Sequence, residues 1–545
     1  MKKIITLLAL AFCLHINAQV CFSPLIALPN PITNSAGSII ANADFNNDGK
    51  QDLVVTGGST YPKVLNIALG LGNGSFNVSY FTTTDYSNLI SVADFNNDNN
   101  ADIAASDNSR ISVYLGDGTG NFGTAISYTI ANPSITSIIN GDFNNDGKID
   151  LAVANSSANN ISVLLNTSTG TVTASFANAT NYFVCTAPNF IICKDFNNDG
   201  KLDLVVSNGS ANFSFLKGTG TGSFNLAVNI PQTVGRPSVS DDFNNDGNAD
   251  LAGADHNGSA FFVQLGTGTG SFGAQTSYQF TPSTYSSFAI SGDYNGDGKQ
   301  DIIMDGTLNG GVYLDLNKGA GSFETTYYSA FCNVASSIIS ADFNNDGRLD
   351  IAVGCNGSGV FLNLPSPTVT AITNTVNLCV DSMAVLTASG ANTYTWSSYQ
   401  YGSSISITPT ITTSYTVTGT DTSLNSTYQQ YGGAFNGCTN TATIIQTVTN
   451  CGAAGIKSFA NSALVTIYPN PSTDILEVTV GNEQLTEIKI YDITGRLVLS
   501  QKPTANSAKE GNSITVDASG LPAGIYNASV TSSMGVVNKR LVIVR

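Results

Sequence analysis

The sequence predicts an all-β chain in which a seven-bladed β-propeller is followed by two smaller β-sandwich modules. Three observations carry this expectation. First, one acidic nine-residue loop occurs seven times, beginning at Asp44, Asp94, Asp142, Asp195, Asp242, Asp293 and Asp342. Second, the starts are 50, 48, 53, 47, 51 and 49 residues apart, the period of a closed or stacked array of like units. Third, each copy is flanked by short β-type runs and glycine-rich turns, so a unit of roughly 50 residues holds four strands, as a propeller blade does.

The third unit shows the elements in order. One run enters the loop from Ile135 to Phe143 and a second leaves it from Leu151 to Ala154. A third spans Ile161 to Leu165, and after a turn a fourth begins at Phe176. The turns read L-G-L-G-N-G-S-F at 69–76, L-G-D-G-T-G-N-F at 115–122 and L-G-T-G-T-G-S-F at 265–272. No Lys-Ser/Thr or helical pattern follows them, so they are structural turns and not phosphate loops. Runs such as Asp-Ile-Ala-Val-Gly at 350–354 are apolar on both faces, as expected of sheets packed between sheets.

The ends predict ring closure. The seventh unit stops at Leu364 without a fourth strand and enters a Pro-containing linker. Cys21-Phe22-Ser23-Pro24-Leu25-Ile26 precedes the first loop much as Asn121-Phe122-Gly123-Thr124-Ala125-Ile126 precedes the third. The N-terminal strand is therefore expected to complete blade seven. An open stack would leave edges that need caps, and the sequence supplies none. The propeller is expected over residues 19–364.

The loop reads D-F-N-N-D-G-K-x-D in most copies. Oxygen side chains at positions 1, 3, 5 and 9, a backbone carbonyl at position 7 and a turn residue at position 6 suit calcium. The candidate ligands of loops one to three are Asp44, Asn46, Asp48, Lys50 and Asp52; Asp94, Asn96, Asp98, Asn100 and Asp102; and Asp142, Asn144, Asp146, Lys148 and Asp150. Those of loops four and five are Asp195, Asn197, Asp199, Lys201 and Asp203, then Asp242, Asn244, Asp246, Asn248 and Asp250. Those of loops six and seven are Asp293, Asn295, Asp297, Lys299 and Asp301, then Asp342, Asn344, Asp346, Arg348 and Asp350. The expectation is up to seven Ca²⁺, one per blade. Asn99 replaces the position-6 glycine in loop two and tolerates the same left-handed conformation. A single Asx-rich turn holds no metal, but seven copies with one ligand pattern argue for a cation. The aromatic at position 2 reads as a core plug. An EF-hand is excluded because it needs flanking helices and a bidentate Glu at position 12.

Charge agrees with this reading. The loops hold 21 of the chain's 33 Asp, so most of the net charge of −17 sits where like charges repel without a cation. Nucleic acid is not an expected partner. Residues 1–18 read as a secretory signal peptide with Lys2 and Lys3 ahead of an apolar core too short to span a membrane, and no later run is longer. The mature protein is expected to be exported and monomeric.

Cys13 leaves with the signal, and eight cysteines remain. An even number in an exported chain favours disulfides. Cys185–Cys193 and Cys379–Cys438 are the preferred local pairs, and Cys355 joins either Cys332 or Cys21. His256 is the one His after the signal segment, which excludes His-cluster zinc sites, and no G-x-S-x-G elbow occurs.

Residues 366–450 switch to Thr/Ser/Val alternation, and Cys379, Trp396 and Cys438 follow in the order of an immunoglobulin-like sandwich, with Trp396 in its core. Residues 452–462 read as a linker, and a further small sandwich is expected over 464–545.

The loops and the strands after them resemble the FG-GAP/VCBS repeats of bacterial surface proteins and integrin α-chain propellers. That resemblance implies seven blades, calcium between the first two strands of each, and binding or adhesion as the usual role. The middle segment resembles Ig-like or PKD-like spacers. Tyr468-Pro469-Asn470-Pro471, Ile490-Tyr491-Asp492-Ile493-Thr494-Gly495-Arg496, Leu521-Pro522-Ala523-Gly524-Ile525-Tyr526 and the terminal Lys539-Arg540-Leu541-Val542-Ile543-Val544-Arg545 resemble the type IX secretion C-terminal sorting domain. That implies recognition by the type IX machinery and release or attachment at the cell surface. The expected function is a non-catalytic binding module for a glycan or extracellular protein. The alternative is a calcium-dependent polysaccharide lyase or hydrolase, disfavoured because Lys63, Arg110, Lys217, Arg236 and Lys318 are scattered over different blades.

Overall fold

The computed structural model describes residues 20–545 except 24, 30–38, 58–62, 84–88, 108, 132–133, 210–211, 233–234, 255–259, 280–287, 307–310, 329–336, 355–357, 422–437, 450–464, 482, 504–511 and 534. The expected signal peptide, His256, Cys332, Cys355, Cys451 and the 452–462 linker lie outside the described residues. All described regular structure is β. Among the described residues, no helix is long and apolar enough to cross a membrane.

Seven antiparallel sheets follow one another from Ile40 to Phe361. In blade three, Ile135–Gly141, Asp150–Asn155, Asn160–Leu164 and Thr180–Phe183 pair in simple succession. The fourth strand begins later than Phe176, which instead makes an isolated bridge to Asn166. Blade five comprises Leu251–Ala254, Ala260–Gly266 and Phe272–Gln279, with Val239 bridging Ala252 where the innermost strand runs in the other blades. The second strands are buried along their whole length, as Asp150–Asn155 and Asp350–Gly354 show. These are the strands whose sequence is apolar on both faces, because each blade covers the next.

Ring closure is built as the termini predicted. In blade seven, Ile26–Ala27 pairs with Gly359–Phe361, outside Asp350–Gly354 and Ser337–Ala341. Cys21 and Phe22 pair with Leu364 and Asn363. The innermost strand of blade seven lies against Ile40–Ala43 of blade one. The innermost strands line a cavity of about 720 Å³, walled largely by Ile residues with Arg236 contributed from blade five.

The middle segment forms two sheets. One runs Thr370–Thr373, Ala384–Ser389, Ser404–Ile407. The other runs Asn377–Cys379, Cys438–Thr449, Thr413–Asp421, Thr393–Trp396. Trp396 is 1% exposed and donates its Nε1–H to Gly402 O at 3.0 Å, which makes it a core residue. The C-terminal segment also forms two sheets, Val465–Tyr468, Ile475–Val480, Ser513–Asp517 and Leu497–Gln501, Leu485–Tyr491, Gly524–Ser532, Gly535–Ile543. They share a core that includes Leu476, Val478, Ile488, Ile490, Val516 and Leu541.

Two disulfide expectations fail. Cys379 is disulfide-bonded, but not to Cys438. Cys185 and Cys193 are likewise unbridged. The Cys185 N–H donates to Ser214 Oγ on the third strand of blade four, whereas Cys193 is on the first. The two cysteines are therefore set against different strands of the sheet.

Candidate functional site: seven acidic loops

Each loop joins the innermost strand of its blade to the second, so the ring brings all seven to one face. The backbone path is the same in every copy. Position 6 is left-handed throughout, from φ 68° at Asn99 to φ 85° at Gly247. Position 4 is left-handed as well, at Asn47, Asn97, Asn145, Asn198, Asn245 and Asn345, with Gly296 at φ 73° in loop six. This explains the one substitution at that position: only Asn and Gly take the conformation cheaply.

Side chains hold this path. The position-1 carboxylate accepts from the N–H groups of positions 5 and 6, at 3.1 and 2.8 Å in loop three. The position-5 carboxylate accepts the position-7 N–H, as Asp146 does from Lys148 at 3.0 Å. Asn144 Oδ1 accepts the Asp146 N–H at 3.0 Å. Loop two makes the same bonds around Asn99, so its departures at Asn99 and Asn100 leave the geometry intact. Loop four departs instead: Asn197 turns its amide onto Asp203, and Lys217 pairs with Asp199 at 3.0 Å. In loops one, six and seven the position-7 side chain faces the position-5 carboxylate, at 2.9 Å for Lys50–Asp48, 2.7 Å for Lys299–Asp297 and 3.5 Å for Arg348–Asp346.

The position-9 carboxylates are set apart from the rest. All seven are fully buried at 0% exposure. One oxygen accepts the position-2 N–H and the other accepts an N–H from the turn after the third strand. For Asp52 the donors are Phe45 N and Gly70 N at 2.8 and 2.7 Å, and for Asp150 they are Phe143 N and Asn166 N at 2.9 and 2.6 Å. The same pair of bonds recurs at Asp102, Asp203, Asp250, Asp301 and Asp350. Burial, assisted by the position-1 and position-5 carboxylates, pushes Asp102 and Asp350 up to about 7 and Asp52, Asp150, Asp250 and Asp301 up to about 6, against the opposing pull of those N–H groups. Asp203 is raised by the same burial.

Neighbouring blades interlock through the loops. The position-2 carbonyl of each loop accepts a hydrogen bond from the turn of the next blade. The donors are backbone N–H groups in Gly120→Phe45, Gly222→Phe143, Gly270→Phe196 and Gly74→Phe343, at 2.9 to 3.1 Å. Where the first turn glycine is replaced by Asn, the side-chain amide donates instead: Asn166→Phe95, Asn317→Phe243 and Asn363→Tyr294, at 2.8, 2.7 and 2.8 Å. The position-2 ring packs edge-on against the aromatic that ends the next turn, as in Phe45–Phe122 at 5.5 Å and Phe143–Phe224 at 5.6 Å. Phe22 of the N-terminal strand and Tyr294 belong to one buried cluster. The position-2 aromatic is therefore a core plug, and the ring of bonds is complete.

Side chains also bridge adjacent loops at the rim. Asn47 Nδ2 donates to Asn100 Oδ1, and Asn198 Nδ2 to Asn248 Oδ1, both at 2.8 Å. In chemistry the oxygen set fits a hard cation. Each carboxylate oxygen has a second lone pair beyond the N–H bond it accepts. In geometry the buried position-9 carboxylate is already held by two N–H groups, so a cation would share it. Among the described residues, no group of three or more His, Cys, Asp or Glu side chains is gathered as a metal cluster. The scattered cations stay apart: Arg110 pairs with Asp107, Lys217 with Asp199 and Lys318 with Glu324.

Comparison with known proteins bears on these elements. FG-GAP-like repeats match residues 44–105, 94–153 and 242–304. A secretion system C-terminal sorting domain matches residues 466–544. No curated protein matches the chain. Among solved structures, BBS1N in complex with ARL6DN is 11% identical, covers 64% of this chain and 98% of its own, and aligns with a TM-score of 0.46. A lectin of Agrocybe aegerita is 18% identical, covering 59% of this chain and 87% of its own with a TM-score of 0.42. A protein from Desulfotomaculum acetoxidans is 13% identical, with 54% and 86% covered and a TM-score of 0.39. The chain carries FG-GAP-like repeats and, at its C-terminal end, the sorting domain of type IX export to the cell surface or extracellular space.

Proposed function

We propose that the seven loops bind calcium, up to one ion per blade, and that the propeller serves as a non-catalytic binding module for a glycan or an extracellular protein. The observation that carries this reading is the sevenfold repetition of one oxygen-rich loop path on one face, with loops one and two and loops four and five also tied at the rim. Oxygen side chains at positions 1, 3 and 5 and the position-7 carbonyl, with the position-9 carboxylate beneath, would hold the ion. Bound calcium would offset the like charges of each loop. The chain's own residues already fix the path: the position-1 carboxylate orders the turn, and the position-9 carboxylate ties it to the blade.

The test is binding of the full exported chain to an array of glycans and matrix proteins, in calcium and then in a chelator. Calcium-dependent capture of one ligand class supports the proposal. A blank array combined with calcium-dependent release of oligosaccharides from a polysaccharide panel would overturn it in favour of an enzyme.

A further inference from the structure

We propose that Cys21 and Cys438 are joined by a disulfide in the exported protein, covalently clasping the strand that closes the propeller. The two residues belong to one compact unit and come from opposite ends of it in sequence. Cys21 is in the ring-closing strand, paired with Leu364. Cys438 begins the strand Cys438–Thr449. Their side chains are buried, at 2% and 5% exposure, and the two thiols interact. The segments meet at one place: Asn440, two residues after Cys438, donates its Nδ2–H to Pro367 O at 3.0 Å, next to Ser366. Ser366 Oγ lies 3.7 Å from Cys21 Sγ.

A buried cysteine is ordinarily a small apolar filler. Two thiols meeting from distant segments are a different matter in an exported chain that already carries a disulfide at Cys379. Cys185 and Cys193 provide the contrast, since each is unbridged and the fold holds them apart.

The pair is also poised chemically. The hydrogen bond from Cys438 holds the Cys21 thiol below its ordinary range, and the same bond pushes Cys438 up. Before the strand packs either sulfur can open the exchange. In one order the Cys21 thiolate attacks one sulfur of an external disulfide, carried by an oxidised oxidoreductase or a small-molecule disulfide, and releases one thiolate. Cys438 then loses its proton, attacks Cys21 Sγ in the mixed disulfide and displaces the second thiolate. Two protein thiols and one external disulfide give one protein disulfide and two external thiols. Because both sulfurs are buried in the finished fold, the exchange takes place before the N-terminal strand has fully packed.

The consequence falls on the ring. Among the described residues, the N-terminal strand is held to blade seven by short pairings, Cys21–Phe22 with Asn363–Leu364 and Ile26–Ala27 with Gly359 and Val360, extended by Ser23 N–H to Leu362 O and Leu28 N–H to Ser358 O. A covalent clasp at Cys21 keeps that strand from peeling away.

The experiment is peptide mapping of the full-length protein collected after export, alkylated under denaturing conditions and digested without reduction. The expected result is one peptide pair joining Cys21 to Cys438, lost on reduction. Reduction should also lower the melting temperature of the wild type more than that of Cys438→Ser. Alkylated Cys21 and Cys438 in unreduced protein, or Cys21 joined to another cysteine such as Cys355, would overturn the proposal. Mapping of the wild type decides the matter even if Cys438→Ser fails to fold, and Cys21→Ser provides a second variant for the melting comparison.

Discussion

Replacing Asp150 with Ala separates the two roles carried by each acidic loop. Asp150 is fully buried and accepts the N–H groups of Phe143 at 2.9 Å and Asn166 at 2.6 Å. Its loss leaves two buried donors without an acceptor. At about 1–3 kcal/mol for each unsatisfied group, the cost is about 2–6 kcal/mol, large for a single substitution. The comparison variant is Asp146→Ala, at position 5 of the same loop. Asp146 lies at the surface: its contact with Lys148 at 3.9 Å is an exposed ion pair that contributes little, and the Lys148 N–H it accepts at 3.0 Å is exposed and can turn to water instead. In chelator, Asp150→Ala should lower the urea midpoint strongly while Asp146→Ala leaves it nearly unchanged. In calcium, both variants should lose part of the stabilisation that the wild type gains. The assay is urea unfolding of the full chain followed by near-UV circular dichroism, with and without chelator. Equal destabilisation by the two variants in chelator would refute the separation of a buried staple from surface ligands.

Other expectations follow from the same geometry. Burial raises Asp52, Asp150, Asp250 and Asp301 from the usual 3.8 to about 6 and Asp102 and Asp350 to about 7, with Asp203 moved in the same direction, so the folded protein binds more protons than the unfolded chain in that interval. The linked stability is fully present below the unfolded value and lost as pH rises through about 6–7, so the chelated protein should melt higher at pH 5 than at pH 7.5. Gly147 has φ 82°, and a Cβ added there would meet no atom within 4 Å. Gly147→Ala should therefore cost only backbone strain, about 1–2 kcal/mol, and Gly147→Asn less, as read from urea midpoints. Asn166 donates to Phe95 O at 2.8 Å and Ile149 O at 3.0 Å, so Asn166→Asp turns two attractive contacts into repulsive ones. A loss of about 1–3 kcal/mol by urea unfolding is expected.

Period and loop chemistry were legible in the sequence because both repeat. Seven near-identical loops fix the blade count, and the likeness of Phe22 to Phe122 foretold the closing strand. Other features were hidden because they are tertiary. Nothing in D-F-N-N-D-G-K-x-D says that its last Asp turns fully inward to hold two N–H groups while its first Asp stays half-buried. The exchange of Gly for Asn at 166, 317 and 363 looked like turn drift until the side-chain amide was seen to replace a backbone donor across blades. Position 4 is a case where a signal was available. Six Asn and one Gly at one place mark a left-handed residue, as Gly296 confirms. The cysteines misled for a physical reason: closeness in sequence is a poor guide when successive residues cross the width of a blade. Cys379 and Cys438 matched a known order, yet Cys438 lies against Cys21 instead.

The central claim is that the loops are calcium sites, and thermal unfolding of the full chain in calcium and in chelator tests it most directly. Extracellular sites bind with dissociation constants of about 10⁻⁴–10⁻³ M. Ten millimolar calcium would then add about 1.4–2.7 kcal/mol per occupied loop. The account predicts a large upward shift in melting temperature that is reversed by chelator and diminished by each position-5 substitution. An identical melt in calcium and chelator would contradict it.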